Sequence, residues 1–238
     1  MPSLSKLKIH LYADGANKAD MLALYKNPLI KGFTTNPSLV RKAGVTDYEG
    51  FAKDILKSIS DRPISFEVFA DEFSEMERQA IKIKAWGPNV YVKIPVMNTK
   101  KQTTYELIAT LTKAGVKLNV TALFTVNQVK EVVAALKGTP GAVVSVFAGR
   151  IADAGVNPSP IMKESLKLMA HDRKMELLWA STREIYNIFE AEECGTHIIT
   201  VPHSILNKLD SVGTDLEAYS HDTVKMFYKD ATEAGFKL

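Results

Sequence analysis

Short apolar runs alternate along the chain with longer stretches in which apolar residues recur at helical spacing. The runs fall at 8–13, 32–35, 64–69, 90–95, 117–122, 142–147, 176–180 and 198–201. They are continuously apolar rather than alternating, the pattern of strands covered by helices in a parallel sheet. Between them, 48–58, 75–86, 104–114, 126–136, 161–174, 183–193 and 222–234 gather apolar residues on one helical face. Thr46 and Asp47 offer caps before the first of these, and Gly87, Gly115, Gly138 and Gly195 stand where a helix ends before the next run. No stretch has the composition of a linker, and none is low in complexity.

About eight strand-then-helix units in one chain predict the α/β class and a single (β/α)8 TIM barrel. One catalytic domain then spans 1–238, and the last helix is extra to the barrel. An open doubly wound sheet is the alternative. It usually needs fewer strands and often carries a glycine-rich first turn, and neither G-x-G-x-x-G nor G-x-x-x-x-G-K-[ST] occurs.

The working face of such a barrel is the rim at the C-terminal ends of its strands. Polar residues that interrupt or end the apolar runs are therefore the candidates. The first run ends at Asp14, the second offers Thr34, Thr35 and Asn36, the third Glu67 and the fourth Lys93. The fifth offers Asn119 and Thr121, the sixth Ser145 and then Arg150, and the seventh Ser181 and Arg183. The eighth offers no clear chemical group. Lys93 is the oddest, because Val90-Tyr91-Val92-Lys93-Ile94-Pro95 holds no other charge. A lysine among apolar walls has its ammonium form disfavoured, and a neutral amine is the nucleophile that attacks a ketone. Pairing with Glu67 from the neighbouring strand accounts for a lysine there equally well. Glu67 in turn reads either as that counter-ion or as a general acid/base. Asp14 before Gly15 is an ordinary turn signal as well as a possible base. Asn119 and Thr121 lie two apart and so share a face of their strand. Arg150 and Arg183 just beyond strand ends, with Ser181 beside them, suit bidentate capture of a phosphate.

Composition narrows the partners. With 30 basic and 27 acidic residues the formal charge is +3, which leaves no footprint for nucleic acid or an anionic membrane. No apolar run approaches membrane-spanning length, and the first ten residues carry no leader signature. One cysteine, Cys194, rules out an intramolecular disulfide and fits a reducing compartment, so a cytoplasmic protein is expected. The five histidines lack metal-ligand spacing, and no metal or other cofactor is expected. The sequon at Asn119-Val120-Thr121 lies inside a run expected to be buried.

These residues, in this order, resemble the transaldolase family and its short members in particular. The resemblance rests on Ala13-Asp14, Thr34-Thr35-Asn36-Pro37-Ser38, Glu67, Val92-Lys93-Ile94-Pro95, Asn119-Val120-Thr121, Ser145-Val146-Phe147-Ala148-Gly149-Arg150 and Ala180-Ser181-Thr182-Arg183. It extends from the first strand to the C-terminal helix. It implies a metal-free Schiff-base mechanism on a ketose phosphate, fructose 6-phosphate or sedoheptulose 7-phosphate, as part of the pentose phosphate pathway. Lys93 would attack C2, and Glu67 with Thr121 would work through a water on the carbinolamine. Asp14 would take the C4 hydroxyl proton. Asn36 and Asn119, with Ser145 nearby, would hold the three-carbon unit. Arg150, Ser181 and Arg183 would hold the phosphate, and Thr35 and Phe147 would complete the binding wall. The family also contains a fructose 6-phosphate aldolase that releases free dihydroxyacetone. That branch carries glutamine and tyrosine where this chain has Glu67 and Phe147, so the resemblance favours transfer over release. A barrel that binds sugar phosphate without turning it over is a third reading, although Lys93, Glu67 and Asp14 are all retained. Short members resemble ring-forming homo-oligomers, and a C-terminal helix beginning near Asp222 could lean on a neighbour.

Overall fold

The computed structural model describes residues 3–237. Eight parallel strands close into a barrel in sequence order: β1 (His10–Asp14), β2 (Ile30–Thr34), β3 (Ile64–Glu67), β4 (Val90–Pro95), β5 (Leu118–Leu123), β6 (Ala142–Val146), β7 (Met175–Trp179) and β8 (Ile198–Pro202), with β8 pairing back on β1. Helices α1 (Lys18–Tyr25), α2 (Pro37–Lys42), α3 (Tyr48–Ser58), α4 (Phe73–Lys84), α5 (Tyr105–Lys113), α6 (Val126–Ala135), α7 (Ala148–Asp153), α8 (Ser159–Met169), α9 (Tyr186–Glu193), α10 (His203–Leu206) and α11 (Leu216–Glu233) follow in chain order. The (β/α)8 barrel expected from the pattern is the fold.

Two apolar layers explain why the strands read as unbroken hydrophobic runs. Outward-facing residues such as Phe33, Phe66, Val92, Val120 and Val144 pack against the helices in one large core. A second, small cluster of Tyr12, Val143, Leu178, Ala180 and Ile198, with Tyr91 and Phe147, fills the barrel lumen. Residues two further along several of the same strands, Asp14, Lys93, Ser145 and Thr200, line a cavity above it. The strand period of two thus stacks an apolar floor beneath a polar mouth. Gly32 makes the floor possible, because a Cβ there would fall 2.5 Å from the Tyr12 ring.

Four helices were not expected from the sequence: α1, α2, α7 and α10. The helix expected over 183–193 begins only at Tyr186, because Asn187 Oδ1 accepts from the backbone N–H groups of Arg183 and Glu184 and holds them in a loop. The helix expected over 161–174 stops at Met169, and the last one starts at Leu216, where the Asp215 side chain caps it. No described helix is long and apolar enough to cross a membrane.

Candidate active site

Strand register assembles the centre. β3 and β4 set Glu67 beside Lys93, β4 and β5 set Lys93 beside Asn119 and Pro95 beside Thr121, and β1 and β2 set Asp14 beside Thr34. Lys93 Nζ lies 3.0 Å from Glu67 Oε2 and donates to the Thr35 carbonyl at 3.1 Å. Both the counter-ion and the nucleophile expected of Lys93 are compatible with this arrangement. With 7% of its surface accessible, the residue is an interior lysine. Lys93 Nζ thus has two acceptors, as an interior lysine requires.

Glu67 is fixed from behind. Tyr48 Oη accepts from Glu67 N at 2.9 Å and donates to Glu67 O at 3.2 Å. Its ring sits among Phe66, Phe69 and Trp86. Burial pushes the Tyr48 phenol up to about 12, so it stays a donor at neutral pH. Asn119 is fixed by two hydroxyls: its amide donates to Ser65 Oγ at 2.9 Å, and Ser145 Oγ donates to its carbonyl at 2.6 Å. Thr121 Oγ1 is buried with no protein partner. An orphaned hydroxyl costs free energy unless a ligand or water engages it, which makes it a contact point for something polar.

Across the mouth, Asp14 Oδ1 accepts from Thr34 Oγ1 at 2.8 Å, and Thr34 Oγ1 is 2.5 Å from Thr200 Oγ1. Desolvation pushes the Asp14 carboxyl above its ordinary value, while the Lys93 charge and the Thr34 hydrogen bond pull against it. The eighth strand therefore does bring a chemical group, Thr200, contrary to the reading of the sequence. A threonine inside an apolar strand carries no signal of its own, because threonine is also a common strand former.

The far wall is built by α7 and the loop after β7. Arg150 lies over the Phe147 ring, its guanidinium carbon 5.6 Å from the centroid. Arg183 makes a bidentate pair with Asp153 at the end of α7. Ser181 takes a positive φ of 66°, and a Cβ on Gly149 would fall 1.6 Å from its carbonyl oxygen. Ala122, just past Thr121, is also left-handed at φ 61°. Each such residue with a Cβ costs about 1–2 kcal/mol; Ser181 itself lines the cavity, and Ala122 follows the lining residue Thr121.

Of the residues named from the sequence, Asp14, Thr34, Asn36, Lys93, Asn119, Thr121, Ser145, Phe147, Arg150, Ser181 and Arg183 line one cavity, together with Leu178, Ala180 and Thr200. Glu67 joins it through Lys93. Thr35 does not join it: its hydroxyl donates to the Ser65 carbonyl at 2.8 Å, and its own carbonyl receives Lys93. Asn36 also caps α2 by accepting from Leu39 N. Tyr48, Ser65, Thr200 and Asp153 went unread, since each acts through a neighbour distant in sequence. Among the described residues no group of three or more His, Cys, Asp or Glu could hold a metal ion.

A family model described as transaldolase/fructose-6-phosphate aldolase matches residues 11–238. A probable transaldolase from Dehalococcoides mccartyi is 33% identical over 202 residues, 84% of this chain and 90% of its own length. Probable transaldolase 2 of Listeria monocytogenes is 36% identical over 199 residues, covering 83% and 87%. A probable transaldolase from a Thermoanaerobacter species is 31% identical over 229 residues, covering 95% and 99%. Among solved structures, dihydrodipicolinate synthase from Rhodopseudomonas palustris superposes over 97% of this chain and 81% of its own with a TM-score of 0.60. At 14% identity that likeness is one of fold alone.

Proposed function

The chain belongs to the transaldolase/fructose-6-phosphate aldolase family and is a transaldolase-type enzyme, and from that premise we propose that it moves a dihydroxyacetone unit between sugar phosphates through a Schiff base on Lys93. The observation that carries the reading is the interior Lys93, 3.0 Å from Glu67 and in one cavity with Asp14, Asn119 and Thr121.

The Lys93 amine adds to C2 of fructose 6-phosphate or sedoheptulose 7-phosphate once its proton has passed to Glu67. Glu67, with a water held against the Thr121 hydroxyl, protonates the carbinolamine oxygen, and water leaves to give the iminium. Asp14 removes the C4 hydroxyl proton. The C3–C4 bond breaks, its electron pair flows into the iminium, and an aldose phosphate departs. The enamine left on Lys93 keeps three carbons, with Asn36, Asn119 and Ser145 on its hydroxyls. Its C3 then attacks the aldehyde of a second aldose phosphate, the new alkoxide takes the proton back from Asp14, and hydrolysis frees the product. Arg150, Ser181 and Arg183 grip the terminal phosphate of donor and acceptor in turn. This is a reaction of the pentose phosphate pathway and needs neither metal nor cofactor.

Transfer is favoured over release because the wall beside the enamine is apolar: Phe147 packs on Phe124, with ring centroids 5.7 Å apart, and under Arg150. Phe147 has no hydroxyl with which to hold a water or pass a proton toward the enamine carbon, so the enamine persists until an aldehyde arrives. The same reading makes the protein a homo-oligomer in the cytoplasm. Helix α11 has no buried residue, and Leu216, Tyr219, Val224, Phe227 and Tyr228 are exposed on it. A second copy is the partner that would cover them.

The test is acceptor dependence. With fructose 6-phosphate and erythrose 4-phosphate the enzyme should form sedoheptulose 7-phosphate and glyceraldehyde 3-phosphate. Without acceptor, free dihydroxyacetone should be a minor product. Dihydroxyacetone released at the same rate with and without acceptor would move the assignment to the aldolase branch.

A further inference from the structure

The mechanism above uses Asp14 but not the hydroxyls behind it. Thr34 Oγ1 donates to Asp14 Oδ1 at 2.8 Å and sits 2.5 Å from Thr200 Oγ1. A threonine hydroxyl has one proton to give, and a carboxylate can only accept. While Asp14 is a carboxylate, the Thr34 proton is committed to it, so the contact between the threonines is a donation from Thr200. The two hydroxyls form a directed chain ending on the charge. Thr34 and Thr200 are 1% and 5% exposed, so water is poorly placed to substitute for either. Thr200 is itself anchored, its carbonyl accepting from Thr182 Oγ1 at 2.7 Å in the loop after β7.

We propose that Thr200, acting through Thr34, is a positioning residue that holds Asp14 in its proton-accepting form and orientation for carbon–carbon cleavage. This rests on the Schiff-base reading given above. Cleavage puts the C4 hydroxyl proton on Asp14. The proton settles on the other carboxyl oxygen, and Oδ1 goes on accepting from Thr34, more weakly now that the group is neutral. Asp14 is hydrogen-bonded before and after the step, and the stored proton returns to the product hydroxyl when the enamine adds to the acceptor. Proton count is conserved throughout.

A charged acceptor draws more from a hydrogen-bond chain than a neutral acid does. Cutting the chain at Thr200 therefore disfavours the carboxylate more than the acid, and the acidic limb of the cleavage rate moves to higher pH. The other groups facing Asp14 are Lys93 on β4 and Glu67 on β3, with Asp20 on α1, Lys42 on α2 and His203 on α10 around the groove on its outer side. All of them are retained in a Thr200 variant, so a difference from the wild type isolates the chain.

The experiment mixes the wild type, Thr200→Val and Thr200→Ser with fructose 6-phosphate and no acceptor. It reads first-turnover release of glyceraldehyde 3-phosphate from about pH 5 to 9, with borohydride quenching and intact mass in parallel. Thr200→Val should cleave roughly tenfold more slowly at the acid end, with its limb moved up and its KM unchanged. The adduct trapped on it should shift from the three-carbon unit to the uncleaved six-carbon phosphate, because Lys93 still reacts while Asp14 lags. Thr200→Ser should restore both readouts. A Thr200→Val limb and adduct composition equal to wild type, or a rate lowered evenly at every pH, would overturn the proposal by leaving Thr200 a packing residue. Failure of the serine variant to restore them would do the same. If Thr200→Val does not fold, Thr200→Ala carries the same comparison. Absence of any adduct on the wild type would instead fail the Schiff-base reading itself, and this inference with it.

Discussion

Lys93 and Glu67 are each other's condition for being where they are. With side chains 9% and 15% exposed, they form a pair whose disruption leaves a buried charge uncompensated, a loss of about 3–5 kcal/mol in comparable pairs. Glu67→Gln is the milder probe, because the amide oxygen can still accept from Lys93 while general acid/base transfer is lost. It should lower the rate of Schiff-base formation by about 10²–10⁴-fold, with a smaller loss of thermal stability than truncation of Glu67 would cause. An undiminished rate would remove Glu67 from the proton path. Much of the site was legible at this scale because a lone charge inside an apolar strand is conspicuous, as Lys93 and Glu67 both are. Thr200 was not legible, since a strand threonine looks the same whether it packs or supports a carboxylate. Tyr48 was hidden for another reason: its ring belongs to an aromatic cluster, and only geometry reveals that its hydroxyl clamps the Glu67 backbone. Asp153 lies 30 residues from Arg183, and nothing local in sequence links them.

Strand register and two interlocked loops turn those residues into a site. All eight strand runs were readable from hydrophobic pattern because their outer faces meet the helices in one large core, and the polar residues of the mouth interrupt them only here and there. Helices α1 and α2 escaped because they bury little, and α7 and α10 because six and four residues are too few to show a helical period. Among the residues of α1 and α2, only Met21 and Val40 respectively are buried, so neither shows a periodic apolar stripe. Their start signals were nonetheless present, as Asn17 and Asn36 cap them. Helix α7 matters most for function, since it carries Arg150 and Asp153 and meets the loop after β7 at Gly149. Gly149→Ala would drive a methyl into the Ser181 carbonyl oxygen, at a cost of about 1–3 kcal/mol. The two phosphate-gripping walls should separate, so KM for fructose 6-phosphate should rise about tenfold while inhibition by inorganic phosphate weakens in parallel. Unchanged affinity for both would show that the Gly149–Ser181 contact does not set the phosphate site.

The whole molecule is a closed barrel with one polar mouth, an apolar floor and a final helix that the barrel does not use. Helix α11 was legible as a helix, yet its full length and its lack of any buried residue emerged only in three dimensions. If a second copy covers it, light scattering should give a mass that is a multiple of 26.3 kDa. Phe227→Asp with Tyr228→Asp should reduce that mass without unfolding the barrel. A monomeric wild type would contradict the oligomer. Everything proposed for the mouth, from the role of Glu67 to that of Thr200, depends on a covalent bond at one atom, Lys93 Nζ. The most direct test is borohydride reduction in the presence of fructose 6-phosphate, followed by intact-mass measurement and peptide mapping. The account predicts a reduced three-carbon adduct on the peptide containing Lys93, lost when erythrose 4-phosphate is added before the reductant. Folded protein that yields no adduct at Lys93 with fructose 6-phosphate or sedoheptulose 7-phosphate would contradict it.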